Sequence, residues 1–149
     1  MSPPTEIDRE APVVAHHEID IDAPLDVVWR LHADVNAWPT WHADVTEARL
    51  VGPFEPSNSF EWTSYGFSVT STIYAVDERS RVLWGGTAND ISAIHEWRFD
   101  ETSSGTHVTT NESFAGDPVN ADGASMQTLL DNSLQAWLGH LKAAAESQT

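Results

Sequence analysis

The 149 residues contain no cysteine. That absence removes disulfides, thiolate metal centres and a cysteine nucleophile together. Positive charge is scarce: seven Lys and Arg, with Lys142 the single lysine, stand against 23 Asp and Glu, for a formal charge of −16. Such a charge repels nucleic-acid phosphates and anionic lipid headgroups, so neither nucleic acid nor membrane is an expected partner. It is the composition of a protein kept soluble in a GC-rich or high-salt host. No apolar run approaches the roughly 18 residues of a bilayer-spanning helix. The opening MSPPTEIDREAP also lacks the basic-then-apolar order of a secretory leader, so the expected location is cytoplasmic.

Phosphate-binding and hydrolase signatures are missing too. Gly85-Gly86 stands alone without a glycine-rich loop, and there is no GxSxG. His95-Glu96 does not begin HExxH, because position 99 is Phe99, and adjacent His16 and His17 fall on opposite faces of a strand. No metal and no cofactor is expected.

What is present is apolar and aromatic: 40% hydrophobic residues, with seven Trp, five Phe and two Tyr. That is material for one core in a chain of one domain's length. Residues 1–11 are polar and aperiodic, which predicts a flexible N-terminal tail ahead of a single domain over 12–147. From Val13 to Asp22 the odd positions are mostly apolar and the even ones mostly polar, the period of a half-buried strand. Asp22-Ala23-Pro24 then opens a helix bearing Val27, Val28, Leu31 and Val35, and Asn36 to His42 predicts a short second helix. Residues 44 to 115 are rich in Val, Thr, Ser and aromatics between turn signals, predicting strands near 44–51, 58–65, 67–77, 80–88, 91–100 and 106–115. A stripe of Met126, Leu129, Leu130, Leu134, Trp137, Leu138 and Leu141 predicts a long amphipathic closing helix. The expected class is α+β, with a seven-stranded antiparallel sheet curved around that helix.

Three stretches, IDAPLDVVWRLHADVNAWPTWHADV, SFEWTSYGFSVTSTIYAVDERSRVLWGG and AIHEWRFDETSSGTHVTTNESFAG, with the Trp-bearing last helix, resemble the START-related superfamily of polyketide cyclases/dehydrases and lipid-transfer proteins. The resemblance runs from about Val13 to Ala145. It implies the helix-grip fold, with a cavity between sheet and long helix that holds a hydrophobic or aromatic small molecule. It also implies that Trp41, the second Trp of its motif, stands beside that cavity. The superfamily holds both enzymes and carriers, so fold alone does not choose between them. The inward Arg and Tyr expected of aromatic polyketide aromatases do not stand out here, since Arg98 alternates outward.

The residues carry a more local reading in the last hairpin. Ala93, His95, Trp97 and Phe99 share one strand face, and Val108, Thr110, Glu112 and Phe114 share the corresponding face of the next. A turn near Ser103-Ser104 makes paired residue numbers sum to 205, 207 or 209, and at 207 His95 stands opposite Glu112. A buried carboxyl beside an imidazole is equipped for proton transfer, which makes Glu112 and His95 the candidate catalytic pair. The bland alternative has both as structural polar groups, with Glu112 held by a hydroxyl such as Ser71 or Thr110. Trp62, Trp84 and Trp97 come from three strands and predict an aromatic-lined pocket, whereas Trp38 reads as core. Candidate ligand contacts are thus Trp41, Trp62, Ser71, Trp84, Trp97 and Thr110. The function expected is cofactor-independent cyclisation or dehydration of a hydrophobic, polyketide-derived molecule by a monomer or homodimer. The alternative is a carrier that binds an aromatic or lipid-like ligand without turnover.

Overall fold

The computed structural model describes residues 3–148. The alternating segments become seven strands: β1 (Val13–Ile21), β2 (Val45–Leu50), β3 (Ser59–Ser64), β4 (Phe67–Asp77), β5 (Arg81–Ala88), β6 (Ile91–Glu101) and β7 (Thr106–Ala115). They form one sheet in the order β1-β7-β6-β5-β4-β3-β2, antiparallel at every junction. Between β1 and β2 lie α1 (Leu25–Ala33), a 3-10 turn over Val35–Ala37 and α2 (Trp38–Trp41). Pro39 sits in the first turn of α2, where its missing N–H has no partner to lose.

After β7 the chain makes α3 (Asp117–Ala121) and then the long α4 (Gly123–Glu146). The short α3 was not expected. Gly116 at φ 126° turns the chain into it, and Asp122 at φ −150° breaks it from α4. Asp122 then caps α4, its carboxylate accepting the Ser125 N–H at 3.2 Å. Leu130, Leu134, Trp137, Leu138, Leu141 and Ala145 form the buried stripe of α4 that the sheet encloses. The architecture is the α+β helix grip.

Two features curl the sheet. Register slips between Val45 and Glu47 and between Ile73 and Ala75 bend β2 and β4. In β5 a Cβ on Gly86 would lie 2.5 Å from the Thr70 carbonyl oxygen, so only glycine permits this approach of β5 to β4.

The interior divides in two. The larger cluster gathers Trp29, Trp38, Trp84, Trp97 and Trp137 with aliphatic residues beneath α1 and α2. The smaller joins Val13, Ala15, Val119, Leu130 and Leu134. The N-terminal segment differs from a free tail: Ile7 is 3% exposed, the Asp8 N–H donates to Ser113 Oγ at 3.0 Å, and Arg81 donates to the Thr5 carbonyl at 2.8 Å. Ile7 stands between Glu6 and Asp8 in a stretch without alternation, so there was no periodicity to read. Residues 1 and 2 of that predicted tail lie outside the described residues.

Candidate functional site: a cavity with one carboxyl in its wall

A cavity of about 410 Å³ opens between the sheet and the N-terminal half of α4, bordered by the edges of both clusters. β3 contributes Trp62, β4 contributes Phe67, Val69 and Ser71, and β5 contributes Trp84, Gly86 and Ala88. β6 and β7 add Ile91, Ala93, Glu112 and Phe114, while Met126 and Leu129 of α4 close the opposite side. Phe67 and Leu129 are 58% and 54% exposed and mark the mouth. Glu112 is the one titratable side chain in this wall among the described residues.

The last hairpin pairs His95 with Glu112, the 207 register. Glu112 Oε1 stands 3.4 Å from His95 Nδ1. On the far side of the ring, Nε2 lies 2.6 Å from Thr110 Oγ1, whose own proton is donated to the Glu96 carbonyl at 3.0 Å. A hydroxyl has one proton, so Thr110 must accept from His95, and Nε2 carries the ring hydrogen. Nδ1 is then a bare lone pair facing the carboxyl. Burial, then the nearby His32, pushes the His95 pKa well below 6.5, which keeps the ring neutral. Burial pushes Glu112 up to about 8, which keeps the carboxyl protonated at neutral pH. The shifts and the geometry agree: a protonated carboxyl and a bare imidazole nitrogen 3.4 Å apart can share one proton, which leaves the second carboxyl oxygen as an acceptor. No other hydrogen bond or ion pair from the described residues reaches that carboxyl.

Of the expected contacts, Trp62, Ser71, Trp84 and Glu112 meet at the cavity. Ser71 Oγ accepts the Trp62 indole N–H at 3.0 Å, leaving its own proton free to be donated. The remaining expectations need correction. His95 and Thr110, at 1% and 0% exposure, lie behind Glu112 and do not reach the wall. Trp97 is fully buried at 5.4 Å from Trp137, a core residue. Trp41 lies on the outer side of α2 beside Val27 and Leu31, away from the cavity, while Trp38 points inward and stacks on Trp137 at 5.3 Å. The tryptophans fill the half of the helix–sheet space under α1 and α2, so the aromatic surplus is mostly core and only Trp62 and Trp84 are left as pocket wall. Gly86, Ala93, Phe114 and Met126 were not singled out as wall residues. Ala93 and Phe114 already sat in the inward alternation of the hairpin, and Met126 in the α4 stripe.

His42, at the end of the short second helix, is 3% exposed. With Asp44 and His140 it brings three ligating atoms within 4.8 Å of one another. Its Nδ1 already accepts the Asp44 N–H at 3.2 Å, so the neutral ring keeps its hydrogen on Nε2 and offers a metal no free lone pair.

The family described as polyketide cyclase/dehydrase and lipid transport matches residues 12–146. The chain belongs to this family. Its fold recurs in solved structures. A hypothetical protein from Helicobacter pylori has a TM-score of 0.81 at 18% identity, covering 97% of this chain and 99% of that one. A START superfamily protein from Mycobacterium smegmatis has a TM-score of 0.79 at 11% identity, covering 91% and 99%. The Zhui aromatase/cyclase from Streptomyces sp. R1128 has a TM-score of 0.76 at 17% identity, covering 89% and 93%. No curated protein sequence matches the chain. Identities this low establish a shared fold, and the family establishes a cyclase or ligand-binding role. No helix among the described residues is long and apolar enough to cross a membrane.

Proposed function

We propose that this family member is a cofactor-independent cyclase/dehydratase of a hydrophobic, polyketide-derived molecule, with Glu112 and His95 as its acid–base pair. The observation that carries the reading is one carboxyl, 3.4 Å from an imidazole nitrogen, in a mostly apolar cavity wall. The ligand lies against Trp62 and Trp84, and Ser71 donates to one of its carbonyl oxygens. The free Glu112 oxygen takes a proton from the carbon between two ligand carbonyls as the proton on Oε1 passes to His95 Nδ1. The enolate so formed attacks a second carbonyl of the folded ligand, a carbon–carbon bond closes, and the new alkoxide takes a proton back from the carboxyl as His95 returns its own. Loss of water repeats the exchange: Glu112 removes a proton from carbon and then delivers one to the departing hydroxyl. The mostly apolar wall supplies orientation.

The test is Glu112→Gln. The amide donates to His95 and accepts toward the cavity, so ligand affinity is expected to persist while conversion of a linear poly-β-ketone to a ring stops. Turnover surviving in Glu112→Gln would sink the acid–base role of Glu112, and wild type that binds but forms no product would sink the enzyme reading. A carrier is the second reading, favoured by the near-complete burial of His95 at 1% exposure. It predicts saturable binding with no product from wild type or variant.

A further inference from the structure

The direction of the hydrogen-bond chain behind Glu112 restricts what the cavity accepts. Thr110 spends its proton on the Glu96 carbonyl, so His95 must donate from Nε2 and present a lone pair at Nδ1. Nδ1 and Glu112 Oε1 stand 3.4 Å apart, and two facing lone pairs would repel, so a proton held by the pair belongs between them. Wherever that proton sits, on the carboxyl or on the ring, the other carboxyl oxygen has lone pairs and no hydrogen. No described protein group donates to it. An acceptor that faces a mostly apolar cavity is met only by what enters the cavity, and a ligand hydroxyl supplies the donor. Among the described residues the wall holds no Lys, Arg or His that would balance an anion, and Glu112 adds the reverse field if it ionises. A carboxylate or phosphate entering 410 Å³ of mostly apolar space would lose its hydration with no opposite charge to replace it.

We infer that the cavity selects a neutral ring-sized molecule whose hydroxyl, a phenol, enol or alcohol, donates to Glu112, and that it rejects anionic analogues. This rests on the cavity being the ligand site. In the enzyme reading the donor is the enol of the substrate or the phenol of the product; in a carrier it is simply the recognition contact.

Three probes of one ring system test it: 2-naphthol, 2-methoxynaphthalene and 2-naphthoate, titrated by calorimetry at pH 6.5 into wild type, Glu112→Gln and Glu112→Leu. In wild type 2-naphthol is expected to bind about five- to tenfold tighter than 2-methoxynaphthalene, the worth of one hydrogen bond, and 2-naphthoate weakest. Glu112→Gln retains the preference because its amide oxygen replaces the acceptor, and Glu112→Leu loses it. Equal or tighter binding of the methoxy compound or of the naphthoate by wild type overturns the inference while leaving the cavity as a ligand site. Failure of all three to bind overturns the ligand-site reading itself. The polarity has its own check that needs no ligand or variant: nitrogen chemical shifts of His95 at pH 7 should show Nε2 protonated and Nδ1 bare, and the reverse assignment also overturns the inference.

Discussion

Glu112 is the residue at which chemistry and stability meet. Its folded pKa of about 8 exceeds its ordinary value of 4.5, so the folded state binds the proton more tightly. The corresponding stability is fully present below 4.5 and is lost as pH rises to about 8. Glu112→Gln has no ionisation to suppress. Thermal melts should therefore coincide with wild type near pH 4.5 and separate as pH rises, with the variant more stable by ~4–5 kcal/mol at pH 8 and above. Buried imidazoles act in the opposite sense. His32 is pushed from 6.5 to about 3 by burial alone, and burial lowers His95 as well, so their contribution is present above 6.5 and is lost as pH falls. Wild-type melting temperature is accordingly expected to peak near pH 6.5 and decline on both sides; a plateau from pH 5 to 9 would mean that neither Glu112 nor the histidines are desolvated as found here.

At the scale of elements, the twisted sheet leaves the space and the tryptophans decide how much of it remains. Gly86 lets β5 press against β4 and also forms cavity wall. Gly86→Ala should cost ~1–3 kcal/mol, because the added carbon meets a backbone oxygen that cannot rotate aside. The N-terminal segment is held by Ile7, and Ile7→Ala should lower stability by ~2–4 kcal/mol in chemical denaturation. A loss below ~0.5 kcal/mol there would identify the segment as the free tail its composition predicts. Nearby on the outer face, Glu96 is 3% exposed. Its burial raises the pKa, but hydrogen bonds from Arg81 and Asn111 and the charges of Arg98 and Arg81 outweigh this and hold it below the usual value. The Arg81 bond is 2.6 Å long, and the same guanidinium reaches the Thr5 carbonyl. A charge network of this kind holds the segment to the sheet through partners more than 70 residues away in sequence.

For the whole molecule, 7 positive against 23 negative residues place −16 on a small domain. Melting temperature should climb between low and moderate NaCl as self-repulsion is screened, and a flat or falling curve would show that favourable local ion pairs dominate instead. Ligand linkage acts at the same scale: a compound at ~100 times its dissociation constant raises stability by ~2.7 kcal/mol, so thermal shift reports occupancy whether or not turnover follows.

Strand order, the long α4 and the shared inward face of His95 and Glu112 were legible in the sequence, whereas the short α3 was not and the hairpin turn left three registers open. The legible features depend on local periodicity, and a two-residue alternation leaves little freedom. Which tryptophans face a cavity was not legible. Trp38 and Trp41 have the same side chain three residues apart on one short helix, and only the packing of α2 against Trp137 sends the first inward and leaves the second outside. The proton's direction through Thr110, His95 and Glu112 likewise came from tertiary structure, because it turns on a 3.0 Å bond from Thr110 to the carbonyl of Glu96 on the neighbouring strand. Periodicity determines which face a residue takes. What a face encloses, and which atom holds the hydrogen there, depends on how distant elements close over it.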